Sequence, residues 1–109
     1  MAKVLISPGK YVQGAGEMKK LGEYAQNYGK KALILISKGG YKRIGAMVEK
    51  SFEGKECGYV FDYFNGECSK KEIKRLGEIV KKEACDVVIG IGGGKIFDTA
   101  KAVAYYEKT

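Results

Sequence analysis

Short apolar runs and longer segments with helical spacing take turns along the chain. Val4-Leu5-Ile6 is a brief apolar run closed by Pro8-Gly9. From about Gly16 to Tyr28, Met18, Leu21, Tyr24, Ala25 and Tyr28 recur at helical intervals, and Gly29 stands where a helix stop is wanted. Ala32-Leu33-Ile34-Leu35-Ile36 is a continuous apolar run of strand length, followed by Ser37-Lys38-Gly39-Gly40, which reads as a turn. Ile44, Val48 and Phe52 define a second helix ending near Gly54, and the aromatic-rich segment from Cys57 to Phe64 reads as a strand. Ser69-Lys70-Lys71-Glu72 has the form of a capping box, with Ile73, Leu76, Ile79 and Val80 on one face of the helix behind it. Val87 to Ile91 is a fourth strand, and Phe97, Ala100 and Val103 mark a closing helix.

Four strand–helix units in alternation predict an α/β domain with a mainly parallel sheet, because uninterrupted apolar strands suit burial on both faces. At 109 residues the length predicts one domain. No apolar run approaches the roughly 20 residues of a membrane span. Pro8 arrives too early for a signal-peptide apolar region. The expectations are therefore no membrane and a cytoplasmic location.

Charge and cysteines narrow the chemistry. The net charge is +7, yet only Arg43 and Arg75 are arginines. The lysine doublets at 19–20, 30–31, 70–71 and 81–82 fall on polar helix faces or helix ends. That pattern fits solvated lysine and a mild attraction for an anionic small molecule better than nucleic acid. Cys57, Cys68 and Cys85 form no CxxC pair, and histidine is absent, so no metal or redox ligand pattern exists. Free, partly buried thiols are expected.

The segment Asp86 to Lys101 carries the chemistry. A buried strand runs into Gly92-Gly93-Gly94 and then directly into a helix. Glycines let the backbone approach a ligand, and free N–H groups of a helix's first turn face an anion. Three successive glycines exceed what a plain tight turn requires. Walker A fails, since Ile89 stands where its first glycine belongs and Ile96 replaces its Ser/Thr. The common dinucleotide fingerprint needs a glycine or alanine where Lys95 stands. Asp98, read as a first-turn acid, and Lys95 serve either as ligand groups or as ordinary solvated charges.

Ile91-Gly92-Gly93-Gly94-Lys95-x-x-Asp98-Thr99-Ala100-Lys101-Ala102 closely resembles the cofactor motif of glycerol dehydrogenases in the iron-containing alcohol dehydrogenase superfamily. Ser7-Pro8-Gly9-Lys10-Tyr11-Val12-Gln13-Gly14 looks like that family's opening segment, and Gly66-Glu67-Cys68-Ser69 with Glu72-Ile73 resembles its middle. The three blocks fall in the family's order. The opening block favours glycerol dehydrogenases over the glycerol-1-phosphate dehydrogenase and dehydroquinate synthase relatives.

The resemblance implies a Rossmann-like N-terminal dinucleotide-binding domain over residues 1–109, incomplete relative to the family. It implies NAD with its diphosphate on Gly92, Gly93 and Gly94, and Lys95 and Asp98 lining the cleft towards the nicotinamide. At the position of the family's usual ribose-binding aspartate stands Ser37, followed by Lys38. A neutral serine makes a weaker ribose contact and the lysine tolerates a phosphate, so NADP stays open beside NAD. The family's metal, usually zinc, is held by an aspartate and two histidines of a helical second domain. Those ligands have no counterpart here, and no catalytic or metal-binding residue is assigned.

The resemblance thus implies the NAD-binding part of an enzyme that oxidises glycerol to dihydroxyacetone, inactive by itself. The alternative is a non-catalytic nucleotide-binding or subunit-interaction module. An incomplete sheet predicts an open edge, and hence a homo-oligomer or a partner chain.

Overall fold

The two continuous apolar runs become the centre of a five-stranded sheet. The computed structural model describes residues 3–6, 10–13, 20–27, 29–64, 69–92 and 94–107. In chain order the elements are β1 (Lys3–Ile6), β2 (Lys10–Gln13), α1 (Leu21–Gln26), β3 (Lys31–Ile36), α2 (Lys38–Ser51), β4 (Gly58–Tyr63), α3 (Lys70–Glu83), β5 (Val87–Ile91) and α4 (Gly94–Glu107). The strand order is β2-β1-β5-β3-β4.

β3 pairs in parallel with β4 and with β5. Both central strands are buried on two faces, which is why neither shows an alternating pattern. Ile34, Ile36, Ile89 and Ile91 pack with Leu21 and Ala25 of α1 and Val48 and Phe52 of α2. Leu33, Leu35 and Val88 pack on the other face with Leu76 and Val80 of α3 and Ile96, Ala100 and Val103 of α4. Each such fully buried aliphatic side chain contributes about 1.5–3 kcal/mol. The result is a Rossmann-like α/β fold, with α1 and α2 on one face and α3 and α4 on the other.

The pattern expectations hold for β1, β3, β4, β5 and the helices α2 to α4. Four details are added or corrected by the structure. Lys10–Gln13 is a fifth strand, antiparallel to β1, although its four residues hold only an adjacent Tyr-Val pair and no alternation. β1 also runs antiparallel to β5, so the sheet is mixed, with three parallel strands and an antiparallel hairpin on their flank. Of the helix expected from about Gly16 to Tyr28, α1 is described at Leu21–Gln26, and residues 14–19 and 28 lie outside the described residues. Ser37-Lys38-Gly39-Gly40 is the start of α2 rather than a turn: Ser37 Oγ accepts from Gly40 N–H at 3.0 Å and so replaces the missing first intrahelical partner.

Local caps fix the other ends. Ser69 Oγ accepts from Glu72 N–H at 3.1 Å at the start of α3. Ala84 closes α3 in the left-handed region at φ 55°, with Cys85 N–H donating to Val80 O at 2.9 Å. At the amino ends of β3 and β5 the Asp86 carboxylate accepts from Lys30 N–H (2.9 and 3.0 Å) and Lys31 N–H (3.0 Å). Cys57 and Cys85 are free and buried, whereas Cys68 lies outside the described residues. No helix among the described residues is long and apolar enough to cross a membrane.

Candidate functional site

The carboxyl ends of the parallel strands meet at one edge of the sheet. Ile36 of β3 is in register with Ile91 of β5 and with Tyr63 of β4. Ser37 and Gly92 therefore leave adjacent strands at the same level. From there the chain diverges: α2 covers one face of the sheet and α4 the other. A crevice opens between neighbouring strands whose helices depart to opposite faces, which is where open α/β sheets bind ligands.

Glycines shape the β5 side of this crevice. Gly92 has φ 143°, outside the range of ordinary side-chain-bearing residues, and a Cβ there would come within 2.7 Å of Ile96 Cδ1. Gly90, inside β5, lets α4 lie close, since a Cβ there would meet Ala100 Cβ at 3.1 Å and Ile96 Cγ2 at 3.3 Å. Its packing role is a feature the sequence reading missed; a glycine within an apolar strand, two positions before the turn, was the available signal. Gly94 opens α4, while Gly93 lies outside the described residues.

Lys95 and Asp98 are exposed on α4 at i and i+3, one above the other on the same side. Asp98 is a correction: α4 begins at Gly94, so Asp98 is its fifth residue and no acid occupies the first turn. Thr99, next to Asp98 on α4, is fully buried and donates its hydroxyl to Lys95 O at 2.9 Å, holding the first two turns together. The first turn of α2 also lacks an acid, whereas α1 and α3 carry Glu23 and Glu72 there. Two helix starts bearing partial positive charge thus face the same edge, with no carboxylate in the first turn to neutralise either.

The β3 and β4 side is polar and cationic. Ser37 is half-buried and uses a lone pair on Gly40 N–H, which leaves its hydroxyl proton to donate. Lys38 Nζ sits 5.8 Å from the centroid of the Tyr63 ring. Tyr63 in turn meets Tyr41 edge-on at 5.8 Å, and Tyr41 meets Phe61 edge-on at 5.0 Å. The Tyr41 hydroxyl donates to Glu49 Oε1 at 3.2 Å, and that carboxylate raises the phenol's pKa. Arg43 folds back along α2, so that a Cβ on Gly39 would lie 3.7 Å from its Nη1.

Behind the tip of β4, Arg75 donates through Nε (2.8 Å) and Nη2 (3.0 Å) to the buried Glu72 carboxylate and through Nη1 (2.9 Å) to Asp62. Nη2 also donates to Tyr63 O at 3.3 Å. The hydrogen bonds that Arg75 donates to Glu72 and Asp62 raise its pKa against the opposing effect of burial, and fix it as a cation. Asp62, the acid near the carboxyl end of β4, is thereby committed away from the crevice.

The edge therefore offers glycine-shaped backbone, two helix starts, a hydroxyl and several cations, which together suit an elongated anionic ligand. A metal is not accommodated by the same groups: no group of three or more His, Cys, Asp or Glu among the described residues is arranged to hold one.

Residues 8–109 match the family model for iron-containing alcohol dehydrogenase. The chain is 43% identical over 108 residues to a glycerol dehydrogenase of Escherichia coli O6:H1, covering 97% of this chain and 29% of that protein. It is 44% identical over 115 residues to a glycerol dehydrogenase of Thermotoga maritima, covering 99% of this chain and 29% of that one. The solved structure of a probable glycerol dehydrogenase from Sinorhizobium meliloti 1021 superposes with a TM-score of 0.68 at 33% identity, over 87% of this chain and 25% of that one. The chain spans about 30% of the length of the curated relatives it matches.

Proposed function

We infer the function from the family: the chain belongs to the iron-containing alcohol dehydrogenases, and residues 1–109 act as the N-terminal nicotinamide-dinucleotide-binding portion of a glycerol dehydrogenase. The observation that carries this reading is the crevice between β3 and β5, where in-register strand ends lead to helices on opposite faces and Gly92 turns at φ 143°. In it the NAD diphosphate rests against the backbone of Gly92, Gly93 and Gly94, Ser37 meets the adenosine ribose, and Lys95 and Asp98 line the path towards the nicotinamide.

In the complete cytoplasmic enzyme, glycerol is oxidised to dihydroxyacetone as NAD is reduced. The divalent metal of that reaction, zinc in the usual case, is held in this reading by the helical second domain of the family. Substrate contact belongs there too. The 109-residue chain holds the cofactor and the orientation of its diphosphate. Among the described residues β4 is an edge strand of the sheet, which supports association with a further copy or partner chain.

Calorimetric titration of the 109-residue chain with NAD tests the reading. Saturable one-to-one binding, lost in Gly92→Val, is expected. The same pure chain, given glycerol, NAD and divalent zinc, is expected to form no NADH. Absence of NAD binding would overturn the assigned site, and glycerol-dependent NADH formation would overturn the division of labour.

A further inference from the structure

We propose that two copies of this chain join edge to edge through β4, antiparallel about a two-fold axis at Val60, so that their sheets run on as one. Among the described residues β4 pairs with β3 alone. At its amino end Gly58 N–H donates to Lys30 O at 2.8 Å, and just past its other end Phe64 N–H donates to Ile36 O at 2.9 Å. Backbone groups alternate in direction along a strand, so the N–H and C=O of Tyr59, Phe61 and Tyr63 point away from β3.

Strand edges that stay free are guarded by lysine, proline or a bulge. Gly58–Tyr63 contains no lysine and no proline, and its register with β3 is unbroken, so it holds no bulge. Its one charged side chain, Asp62, is neutralised by Arg75 at 2.9 Å. Tyr59 and Tyr63 are exposed on either side of the half-buried Phe61, all three on the face of α2. The edge is thus unguarded and lined with aromatic surface that a neighbouring strand would cover.

The strand complements itself, which selects a second copy as the occupant. A two-fold axis sets a strand antiparallel to its own copy. With Val60 opposite Val60 of the second copy, Tyr59 and Phe61 exchange N–H and C=O groups with Phe61 and Tyr59 across the axis. Tyr63 is left out of this exchange, and its carbonyl already accepts from Arg75 Nη2 at 3.3 Å. On the α2 face Tyr59 comes beside Phe61 of the second copy, extending the ring contacts it makes with Phe61 at 5.6 Å and Phe52 at 4.9 Å. On the α3 face Asp62 and its Arg75 fall opposite Gly58, where a Cβ would meet nothing closer than 3.9 Å. Centring on Phe61 would draw the committed Tyr63 carbonyl into the ladder. Centring on Asp62 would oppose two carboxylates.

Sedimentation equilibrium of the unaltered chain over a range of concentrations is expected to reach twice the 11.9 kDa of one chain at the upper end. Hydrogen–deuterium exchange of the same protein needs no variant: the amides of Tyr59 and Phe61 are expected to exchange slowly when concentrated and rapidly on dilution. Val60→Lys and Val60→Glu each set like charges directly opposite at the axis. Each is expected to be monomeric with the circular dichroism of the parent, and an equimolar mixture of the two is expected to regain the doubled mass. Tyr59→Pro removes an outward N–H without touching the ladder to β3, and is expected to be monomeric as well. A parent that stays monomeric, or whose Tyr59 and Phe61 amides exchange rapidly at every concentration, overturns the proposal and leaves β4 to another partner. A dimer that survives the variants overturns the assignment to β4, and Val60 variants that stay apart when mixed overturn the register.

Discussion

Replacing Gly22 by alanine sets two effects of opposite sign against each other. Gly22 is the second residue of α1, and alanine there is favoured by intrinsic helix propensity, by at most about 1 kcal/mol. Packing opposes it. A Cβ at Gly22 would lie 2.7 Å from Ser51 C and 2.8 Å from Phe52 Cα, and would crowd Ser51 O still more closely. Ordinary contact begins near 3.4 Å, so α1 must retreat by more than half an ångström from the end of α2. The obstacles are backbone atoms, which cannot swing aside as a side-chain tip can. Overpacking of this kind costs about 1–3 kcal/mol. The retreat also lengthens the buried hydrogen bond from Gly22 N–H to Ser51 Oγ, now 3.1 Å, which is worth about 1 kcal/mol. Propensity and hydrogen bond offset each other, leaving a net loss of about 1–3 kcal/mol. For a domain of this size that lowers Tm by roughly 5–20 °C. Urea unfolding followed by far-ultraviolet circular dichroism, with a thermal melt alongside, measures it. A Gly22→Ala chain as stable as the parent would refute the reasoning, since propensity would then outweigh a crossing less close than described.

Two further predictions concern stability. Ala84→Gly is expected to raise the urea midpoint, equivalent to about 0.5–1 kcal/mol, because Ala84 holds φ 55° at the end of α3, where glycine carries no Cβ penalty; an unchanged or lower midpoint counts against strain at that cap. Stability should also fall at both pH extremes. Burial, assisted by the charges of Asp86 and the Cys85 thiolate, pushes the Cys57 thiol up from 9.0 to about 11. Its contribution is thus full below pH 9 and is lost as pH rises through about 11. Burial alone would raise the Asp86 carboxyl, but the N–H groups of Lys31 and Lys30 outweigh it and hold the group below its ordinary 3.8. That contribution is present above pH 3.8 and is lost as pH falls through the lowered value. Urea midpoints across the pH range check both arms: Cys57→Ala should flatten the alkaline one and Asp86→Asn the acid one, and arms that stay as steep in the variants would contradict these assignments.

The buried half of the fold was legible from residue type alone. Ala32–Ile36 and Val87–Ile91 are uninterrupted apolar runs because both faces of their strands are covered, and Ser69-x-x-Glu72 marked its helix start through a cap that the structure contains. Lys10–Gln13 was not legible, since that strand exists by pairing with β1 rather than by its own pattern. Ser37–Gly40 misled because two glycines suggest a turn; the Ser37 cap and the packing of Val48 and Phe52 decide for helix against that local weakness. In the crevice, the glycine turn was visible as a motif. The closeness of α4 to Gly90 depends on a distance between elements, which no spacing rule in one chain encodes.

The antiparallel pairing of β1 with β5 has a consequence for how the chain is made. Val4 meets Ile91, a partner 87 positions later in the sequence. A ribosome adding about 5–20 residues per second needs roughly 4–17 s to supply that partner. Until then the first hairpin has no sheet to join, and a lone two-stranded hairpin is marginal in water. β1 is translated long before β5, its partner across the sheet, so for several seconds of each synthesis its backbone is open to chaperones or to another nascent chain.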